Sequence, residues 1–427
     1  MKKRVTCLSI MKIKLSNLFF LWIILAPLPL LSQEESRVRF CFTGDLMQHG
    51  AQIRSARQYD GSYSYDTCFT YIQDRLQDAD FTVVNMETSF NGPPYSGYPS
   101  FSSPNELALA IARAGANVFL TANNHILDKG SDGANKTIAL YDSLGIPHCG
   151  TTNPWIILNK NGIRIAVLNY TYGTNRQVSR TSFPINFADT LLVKKHLAEV
   201  RREGADCILC CMHWGVEYQL YPSSRQRFLA GWLRQQGVTA VIGSHPHVPQ
   251  LIEVQKNADE KIPFLVAYSL GNFISNQQDK IPRLGMILTF DVVLTASGTY
   301  IDSPWYEWIW TWRPVTANKM LYHVLPVSDP ALYRQVVADP EDTLLISGTV
   351  HILRTYMNET TSGIFERRRY PPYERKNLYF GEHPSISTLW TREPVFTSFE
   401  RSIPSIEDYR KRRAAEGTGP TGRPGPF

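Results

Sequence analysis

The sequence predicts an α/β protein in which sheet layers are flanked by helices. Apolar strand-like stretches alternate with segments of helical spacing from residue 38 to residue 242, which is the pattern of βα units. Further strand-like stretches follow without intervening helices. With 427 residues, of which 43% are hydrophobic and 19% charged, the chain can bury at least one large core and has room for a second domain.

The first residues are predicted to be a secretory signal peptide at residues 1–32. Five basic residues precede an apolar run of 14 residues, and a polar stretch begins at Gln33. A transmembrane anchor is the alternative, but a spanning helix needs about 20 apolar residues, and this run contains Pro27 and Pro29. We therefore expect an exported protein in the periplasm or at the cell surface, membrane-associated if the segment is not cleaved.

The structural elements are predicted in chain order from their hydrophobic periodicity. Strands are expected at residues 38–42, 81–84, 118–121, 154–158, 163–169, 207–212, 239–242, 251–254, 264–268 and 284–294. Helices are expected at residues 65–76, 105–113, 134–144, 189–202 and 223–236. Ser103-Pro104 is a capping-type start for the second helix, and Gly145 with Pro147 ends the third. Residues 160–162, Lys-Asn-Gly, form a turn signal between two strands.

The composition changes from about residue 300. Trp305, Trp308, Trp310 and Trp312 lie in a predicted strand, with the aromatic rings packed on one face. Packing on a core is the favoured interpretation, and an aromatic platform for a polysaccharide is the alternative. The predicted organisation after the signal is a domain at residues 38–295, a β-rich extension at 296–360 and a Pro/Arg/Tyr-rich tail at 361–427, with a disordered end.

Net charge and cysteine positions argue against a nucleic-acid-binding protein and against a disulfide-stabilised fold. The formal net charge of +6 falls to +1 without the five basic residues of the signal, so net charge gives no basis for a nucleic-acid partner. Six cysteines remain, and most lie in apolar strand-like runs, where cysteine behaves as a small buried hydrophobe. We predict no disulfide framework, and we expect Cys210 and Cys211 to point to opposite faces of a strand.

Five short polar clusters each follow an apolar strand-like stretch. They are Thr43-Gly44-Asp45, Asn85-Met86-Glu87, Ala122-Asn123-Asn124-His125, His213-Trp214-Gly215 and Ser244-His245-Pro246-His247. Carboxylate, amide and imidazole groups are ligands of divalent metals. Open α/β sheets bind their ligands at the carboxyl edge, so we expect the clusters to converge there as a two-metal site. Any one cluster alone is more typical of a hydrogen-bonded histidine or a turn.

Six motifs in order resemble the CapA family of poly-γ-glutamate capsule biosynthesis proteins. They are FTGDLM at 42–47, VNMET at 84–88, ANNHILDKG at 122–130, HWGVEY at 213–218, IGSHPHVPQ at 242–250 and YSLGNF at 268–273. The resemblance covers roughly residues 38–295. It implies a divergent branch of the calcineurin-like metallophosphoesterases, and with it a four-layer α/β/β/α sandwich of the metallophosphatase type.

The resemblance also implies roles for individual residues. One ion would be held by Glu87, Asn124, His213 and His245, and the other by Asp45, Glu87 and His247. His125 would protonate the leaving group, and Asp128 would orient it, although a turn carboxylate is an equal interpretation of Asp128. The expected cofactors are one or two divalent ions: Mn, Zn, Mg or Fe.

Other positions leave alternatives open. Met47 stands where the superfamily has a histidine, and Glu87 is one methylene longer than the usual aspartate, so one ion site could be weak or empty and turnover could be lost. Glu217 and Asn272 are weaker candidates for substrate binding at the rim, with Gly271-Asn272 interpreted as a turn. Both positions could equally be structural.

Three functions follow from this resemblance and these residues. The first is an exported capsule or exopolymer assembly protein that handles an anionic polymer such as poly-γ-glutamate, with membrane-bound synthetase subunits as partners. The second is a metal-dependent hydrolase of phosphoesters or γ-glutamyl amide bonds. The third is a non-catalytic module that binds an anionic polymer.

Overall fold

The computed structural model describes residues 35–176, 183–316, 319–360 and 364–368. Its strands are β1 Ser36–Leu46, β2 Phe81–Met86, β3 Val118–Leu120, β4 His148–Cys149, β5 Trp155–Lys160, β6 Ile163–Thr171, β7 Cys207–His213, β8 Ala240–Ser244, β9 Ile252–Gln255, β10 Phe264–Ala267, β11 Asn272–Ile274, β12 Leu284–Thr295, β13 Gly298–Trp312, β14 His323–Pro326 and β15 Phe365–Glu366. Its α-helices are α1 Gly50–Ala56, α2 Gln73–Gln77, α3 Glu106–Arg113, α4 Gly130–Ser143, α5 Thr190–Arg202, α6 Ser224–Gln235, α7 Pro330–Tyr333 and α8 Pro340–Thr360.

The strands form two sheets. The first has the order β14-β13-β12-β1-β2-β3-β4, with β11 beside β1 and β15 beside β13. The second has the order β5-β6-β7-β8-β10-β9. Strands β1 to β4 are parallel neighbours, as are β6, β7, β8 and β10. Parallel strands end at the same edge of a sheet, so each sheet presents its strand-end loops along one edge.

Alternating strand residues divide the buried side chains among three cores. Phe42 of β1 lies in the core between the sheets, together with Val167 of β6. Its neighbour Cys41 faces the other way, into a core shared with helices such as α3 and α4. Leu168 of β6 packs into a third core with residues of α5 and α6. Helices thus cover the outer face of each sheet, and the predicted four-layer α/β/β/α sandwich is confirmed.

The carboxyl end of β1 changes its partner strand. Residues 36–42 pair antiparallel with β12, whereas Asp45 pairs parallel with Asn272 of β11. A Cβ at Gly44 would lie 1.9 Å from the carbonyl oxygen of Gly271, so only glycine allows the two backbones to approach this closely. This approach places Asp45 and β11 side by side at the strand-end edge.

The predicted pairing across residues 160–162 is confirmed. Strands β5 and β6 form an antiparallel pair. Asn161 and Gly162 between them have φ values of +50° and +78°, as a type I′ hairpin turn requires. The predicted helices at 189–202 and 223–236 are confirmed as α5 and α6, which begin at the N-caps Asp189 and Ser223.

Two local predictions are wrong. Residues 65–76 form a 3₁₀ helix at Asp66–Phe69 and the short α2 instead of one helix. Both helix types bury the same apolar side chains, so hydrophobic periodicity does not distinguish them.

Trp305 does not share a face with the other tryptophans: it packs on the outer core, whereas Trp308 and Trp310 lie between the sheets. Three residues separate Trp305 from Trp308, and an odd spacing in a strand reverses the face. Since Trp308 and Trp310 are fully buried, this stripe is core and not a polysaccharide platform.

The residues after 296 join the main structure. Strands β13 and β14 extend the first sheet beyond β12. Helix α8 contributes Ile346, Val350 and Leu353 to the core between the sheets. The segment expected to be a β-rich extension therefore contains a helix as well as strands and shares the core of the preceding residues.

The remaining expectations concern the termini and the cysteines. The proposed signal peptide lies outside the described residues, as does all of the tail at 361–427 except residues 364–368. No helix among the described residues is long and apolar enough to cross a membrane. The six described cysteines are free and buried. Cys210 and Cys211 lie in different cores, which confirms their predicted opposite orientation.

Candidate metal centre

The carboxylate of Asp45 joins the two sheets at the strand-end edge. It is fully buried at the end of β1. Its Oδ1 accepts a hydrogen bond from Nδ2 of Asn85 at 2.8 Å, and its Oδ2 lies 3.0 Å from Nδ1 of His247. The backbone N–H of His245 donates to Oδ2 at 3.1 Å. Residues after β8 of the second sheet are thereby held against β1 and β2 of the first.

Glu87 follows β2 and is the least satisfied carboxylate of the site. It is fully buried, and neither of its oxygens accepts a hydrogen bond from a described residue. Its Oε1 lies 3.5 Å from Nε2 of His213, 3.8 Å from Nε2 of His247 and 4.0 Å from Nε2 of His125. Burial, and then the charge of Asp45, raise the pKa of Glu87 well above its usual value. A buried carboxylate without partners requires a proton or a cation.

Three imidazoles face these carboxylates from the second sheet. His213 ends β7, and His245 and His247 follow β8 with φ values of +95° and +58°. The left-handed region is unfavourable for residues other than glycine, so the loop around Pro246 is strained, as functional sites often are. The ring centroids of His213 and His245 are 4.8 Å apart.

The imidazoles of His213 and His245 are in the protonation state that binds metal. Burial, and then the neighbouring imidazoles, lower the pKa of both well below the ordinary value, so both rings are neutral at pH 7. A neutral imidazole offers a lone pair to an ion. Nδ1 of His245 has no hydrogen-bond partner among the described residues. In His247, burial lowers the pKa, but the hydrogen bond and charge of Asp45 outweigh it and the pKa is raised.

The donor atoms fall into three overlapping groups that could hold an ion. They are Glu87 with His213 and His245, Asp45 with Glu87 and His247, and Glu217 with His245 and His247; within each group the donors lie within 4.8 Å of one another. The first two groups share Glu87, which is the arrangement of two ions with a bridging carboxylate. Orphaned carboxylate oxygens and a free imidazole nitrogen fit divalent Zn, Mn or Fe.

Asn124 and His125 lie beside these groups in the loop after β3. Oδ1 of Asn124 is 2.8 Å from Nε2 of His213. Nδ1 of His125 is 2.7 Å from Oδ2 of Asp128, which also accepts the backbone N–H of Phe101 at 2.7 Å. Since the ring is held through Nδ1, its Nε2 is directed to Glu87. The structure therefore gives Asp128 the orienting contact with His125.

The two rim candidates are placed differently. Glu217 is exposed and belongs to the third donor group. Asn272 is buried and begins β11, so its prediction as part of a turn is wrong. Gly271, whose φ is +69°, forms a bridge with Gly285, and Asn272 then pairs beside β1. Nδ2 of Asn272 donates to Oε1 of Gln277 at 2.7 Å and to the Pro282 carbonyl at 2.8 Å.

Sequence reasoning placed Asn85 in a polar cluster without giving it a role of its own, and it missed Tyr172 and His49. Asn85 donates to Asp45 and lies 3.3 Å from Nδ1 of His213. Tyr172 is half exposed, and its ring centroid is 4.5 Å from that of His245. His49 packs edge-on against Phe101, which also contacts His125. Asn85 and Tyr172 were detectable as strand-end polar positions, whereas His49 lies four residues after Asp45 in no recognised motif. Met47 is buried, and its N–H donates to the Ile274 carbonyl.

The fold and site define an α/β/β/α sandwich with a strand-end centre suited to divalent metals. Residues 39–277 match the family described as Bacterial capsule synthesis protein PGA_cap. This match covers more than half of the chain, so the chain belongs to that family.

Similar proteins agree with this assignment. The chain is 28% identical over 269 residues to Capsule biosynthesis protein CapA of Bacillus anthracis, covering 58% of this chain and 62% of that protein. It is 24% identical over 276 residues to PGA biosynthesis protein CapA of Bacillus subtilis strain 168, covering 62% and 70%. The matched part of the chain thus spans less than two thirds of the Bacillus anthracis relative.

Solved structures with a related fold are more distant. The calcineurin-like phosphoesterase YfkN of Bacillus subtilis has a TM-score of 0.40 and 14% identity, covering 75% of this chain and 99% of that chain. The Haemophilus influenzae NAD nucleotidase has a TM-score of 0.38 and 11% identity, covering 79% and 58%.

Proposed function

We propose that this protein serves in capsule or exopolymer assembly at the cell envelope, where it hydrolyses a bond of an anionic polymer with the help of one or two divalent ions. The observation that carries the proposal is the buried Glu87, which faces the imidazoles of His213 and His247 without a hydrogen-bond donor on either oxygen. A polypeptide that only needed a stable core would not keep such a group. A bound cation compensates it and supplies hydrolytic chemistry at the same place.

The residues around the donor groups have distinct roles in this proposal. A bound divalent ion lowers the pKa of a water molecule and stabilises a developing oxyanion. His125, held by Asp128 through Nδ1, presents Nε2 to the site and donates a proton to the leaving group there. Tyr172 covers His245 from the solvent side and limits the access of water to its ring.

The polymer and the partners are inferred from the family. The printed names of the two Bacillus relatives concern capsule and PGA biosynthesis, which supports poly-γ-glutamate as the polymer and membrane-bound synthetase subunits as partners. Export at the basic and apolar N-terminal segment would bring the chain to the compartment where a capsule polymer is handled. Hydrolysis of a γ-glutamyl amide bond would explain why a metal-suited centre occurs in a protein of a capsule synthesis family.

The experiment measures metal and turnover on the same full-length protein, purified without chelators. We expect one or two equivalents of a divalent ion by elemental analysis, together with cleavage of poly-γ-glutamate or of a generic phosphodiester. Both should be lost in Glu87→Gln and His245→Ala. The matched control is His351→Ala, an exposed histidine on α8, which should change neither.

Two outcomes would change the proposal. Wild-type protein without metal and without turnover would overturn it. Metal without turnover would favour a binding module in place of a hydrolase, and the buried Met47 at the position of an expected ligand is the observation that favours this second function.

A further inference from the structure

The guanidinium of Arg313 has no hydrogen bond or ion pair to a carboxylate among the described residues. It follows the end of β13 and is half-buried. Its acceptors are Oδ1 of Asn276 and the Gln277 carbonyl, both at 3.3 Å, and Oε1 of Gln278 at 3.4 Å. All three bond the same nitrogen, Nη1. The Nε and Nη2 edge therefore has no protein acceptor in the described part of the chain.

Two chains of contacts connect Arg313 to the imidazoles of the centre. Asn276, which accepts from Arg313, donates its backbone N–H to Nδ1 of His49 at 3.2 Å. His49 packs on Phe101, whose ring centroid is 4.4 Å from that of His125.

The second chain of contacts runs through Gln277. Its backbone carbonyl accepts from Arg313, and its Nε2 donates to Oη of Tyr218 at 3.1 Å. The ring of Tyr218 lies 6.0 Å from that of His247. Arg313 thus occupies the rim of the centre on the side of β11.

Asn276 adds a hydrogen-bond donor to this rim. Its Oδ1 accepts from Arg313 and from Tyr322, and its Nδ2 has no acceptor among the described residues. Nδ1 of His49 lies 3.2 Å from the backbone nitrogen of Asn276 and 3.2 Å from Oε1 of Gln52. The spare donor of Asn276, like those of Arg313, is suited to an anion.

A second guanidinium increases the positive charge at this place. Arg283 stacks on Trp310 at 4.4 Å, and both Nε and Nη2 donate to the Thr311 carbonyl at 3.4 Å. Burial, and then the charge of Arg313, lower the pKa of Arg283 to about 10. The charge of Asp342 acts on both arginines and compensates the repulsion in part. One carboxylate near two cations leaves a net positive charge, which a bound anion would neutralise.

We propose that the free Nε and Nη2 edge of Arg313 binds a carboxylate of the substrate chain next to the metal centre, with Nδ2 of Asn276 as an additional donor. The planar guanidinium matches a carboxylate with two parallel hydrogen bonds. This inference rests on the proposed function, since it assigns the polymer carboxylate to a named side chain. Arg313 lies outside residues 39–277, so the family match does not include it.

The test measures binding of a fluorescein-labelled poly-γ-glutamate oligomer to the full chain by fluorescence anisotropy. Arg313→Gln should raise the Kd about 10-fold or more, the effect of losing a charge-assisted bidentate contact. Arg313→Lys keeps the charge without the planar guanidinium, so its Kd should lie between those of the wild type and Arg313→Gln. The control Arg234→Gln removes an exposed arginine at the end of α6 and should bind like the wild type. Thermal denaturation checks that each variant folds. If Arg313→Gln does not fold, the Kd of Arg313→Lys tests the proposal instead.

Competition identifies the anion. Glutarate should displace the labelled oligomer, and uncharged dextran should not. Displacement by inorganic phosphate but not by glutarate would overturn the carboxylate assignment, as would an unchanged Kd in both Arg313 variants or absence of binding by the wild type.

Metal content and turnover on the same samples separate this inference from the proposed function. Binding that depends on Arg313 in a protein without turnover would refute the hydrolase and leave the carboxylate site intact. Metal-dependent turnover with unchanged Kd and KM in both Arg313 variants would refute the carboxylate site alone.

Discussion

Nδ1 of His125 lies 2.7 Å from Oδ2 of Asp128, within a single loop and three residues apart. A carboxylate only accepts, so Nδ1 of His125 carries a proton, and Nε2 lies 4.0 Å from Oε1 of Glu87. The proposed proton transfer from Nε2 requires a ring with a proton on both nitrogens. The same oxygen of Asp128 accepts the N–H of Phe101, which fixes the carboxylate itself.

Replacement of Asp128 by Asn should therefore lower kcat by about 10²- to 10⁴-fold, the usual contribution of a positioned acid or base. Metal content should not change, because Asp128 belongs to none of the donor groups. The alkaline side of the pH profile of kcat should shift to lower pH, because a general acid acts in its protonated form and the amide no longer stabilises that form. Equal activity and an equal pH profile in Asp128→Asn would show that the contact is only structural.

Replacement of Asp45 by Asn should weaken metal binding. The amide keeps the shape of the side chain but removes the negative charge and one acceptor used by His245 and His247. We expect a decrease of at least about 10- to 100-fold in metal affinity, because that range already applies to a group that only orients a ligand and Asp45 is itself a donor. Isothermal titration with Zn²⁺ or Mn²⁺ measures it. Asp60→Asn, which changes an exposed carboxylate, is the control.

Gly44→Ala should destabilise the fold strongly. The added Cβ would meet the Gly271 carbonyl oxygen at 1.9 Å, so β1 and β11 would have to separate. We expect a loss above about 2 kcal/mol in the free energy of unfolding, as for other backbone clashes in a core. Gly231→Ala on α6 is the matched control, because its Cβ meets nothing within 4 Å and helix propensity favours alanine. Urea denaturation of both variants tests this, and equal midpoints would contradict it.

Arg75 and Glu307 form a buried ion pair between α2 and β13. Nε and Nη2 of Arg75 donate to Glu307 at 3.3 and 3.4 Å, and both side chains are almost fully buried. Arg75→Met should cost about 3–5 kcal/mol of stability, because it leaves a buried charge. The double variant Arg75→Met with Glu307→Leu should be more stable than Arg75→Met alone. Chemical denaturation of the complete double-mutant cycle measures the coupling, and additive effects would contradict the pairing.

The buried imidazole of His49 should make the free energy of unfolding depend on pH. Burial lowers the pKa of His49 to about 4, although the contact with Gln52 raises it in part. Between about pH 6.5 and pH 4 the unfolded chain therefore binds more protons at this position, so stability falls as the pH decreases through that range. His49→Asn keeps an acceptor for the Asn276 N–H and should flatten this dependence by up to about 3 kcal/mol. Parallel pH curves for both proteins would contradict the assignment.

Much of the centre is encoded locally and was predictable. Asp45, His213 and His245 each follow an apolar run, and the parallel order of these runs brings their ends to one edge. The hairpin at Asn161 was equally visible, because its turn chemistry is contained in three residues.

The parts that depend on distant pairing were not predictable. β11 is only three residues long, and it forms because Gly44 lets it approach β1 across more than 200 residues. Asn272 was therefore predicted to lie in a turn, and no prediction was made for Arg313. Their positions follow from the register of the first sheet, which no local pattern contains.

Asp45 and His247 meet across 202 residues of chain. An ion shared by these two side chains would act as a removable cross-link that closes a loop of this length. The ribosome delivers Asp45 long before His247, so ion capture would follow the docking of the two sheets and would not guide it. Bound metal would then be present only in molecules whose two sheets have docked. Its release would expose the strand-end loops to proteases before any other part of the fold.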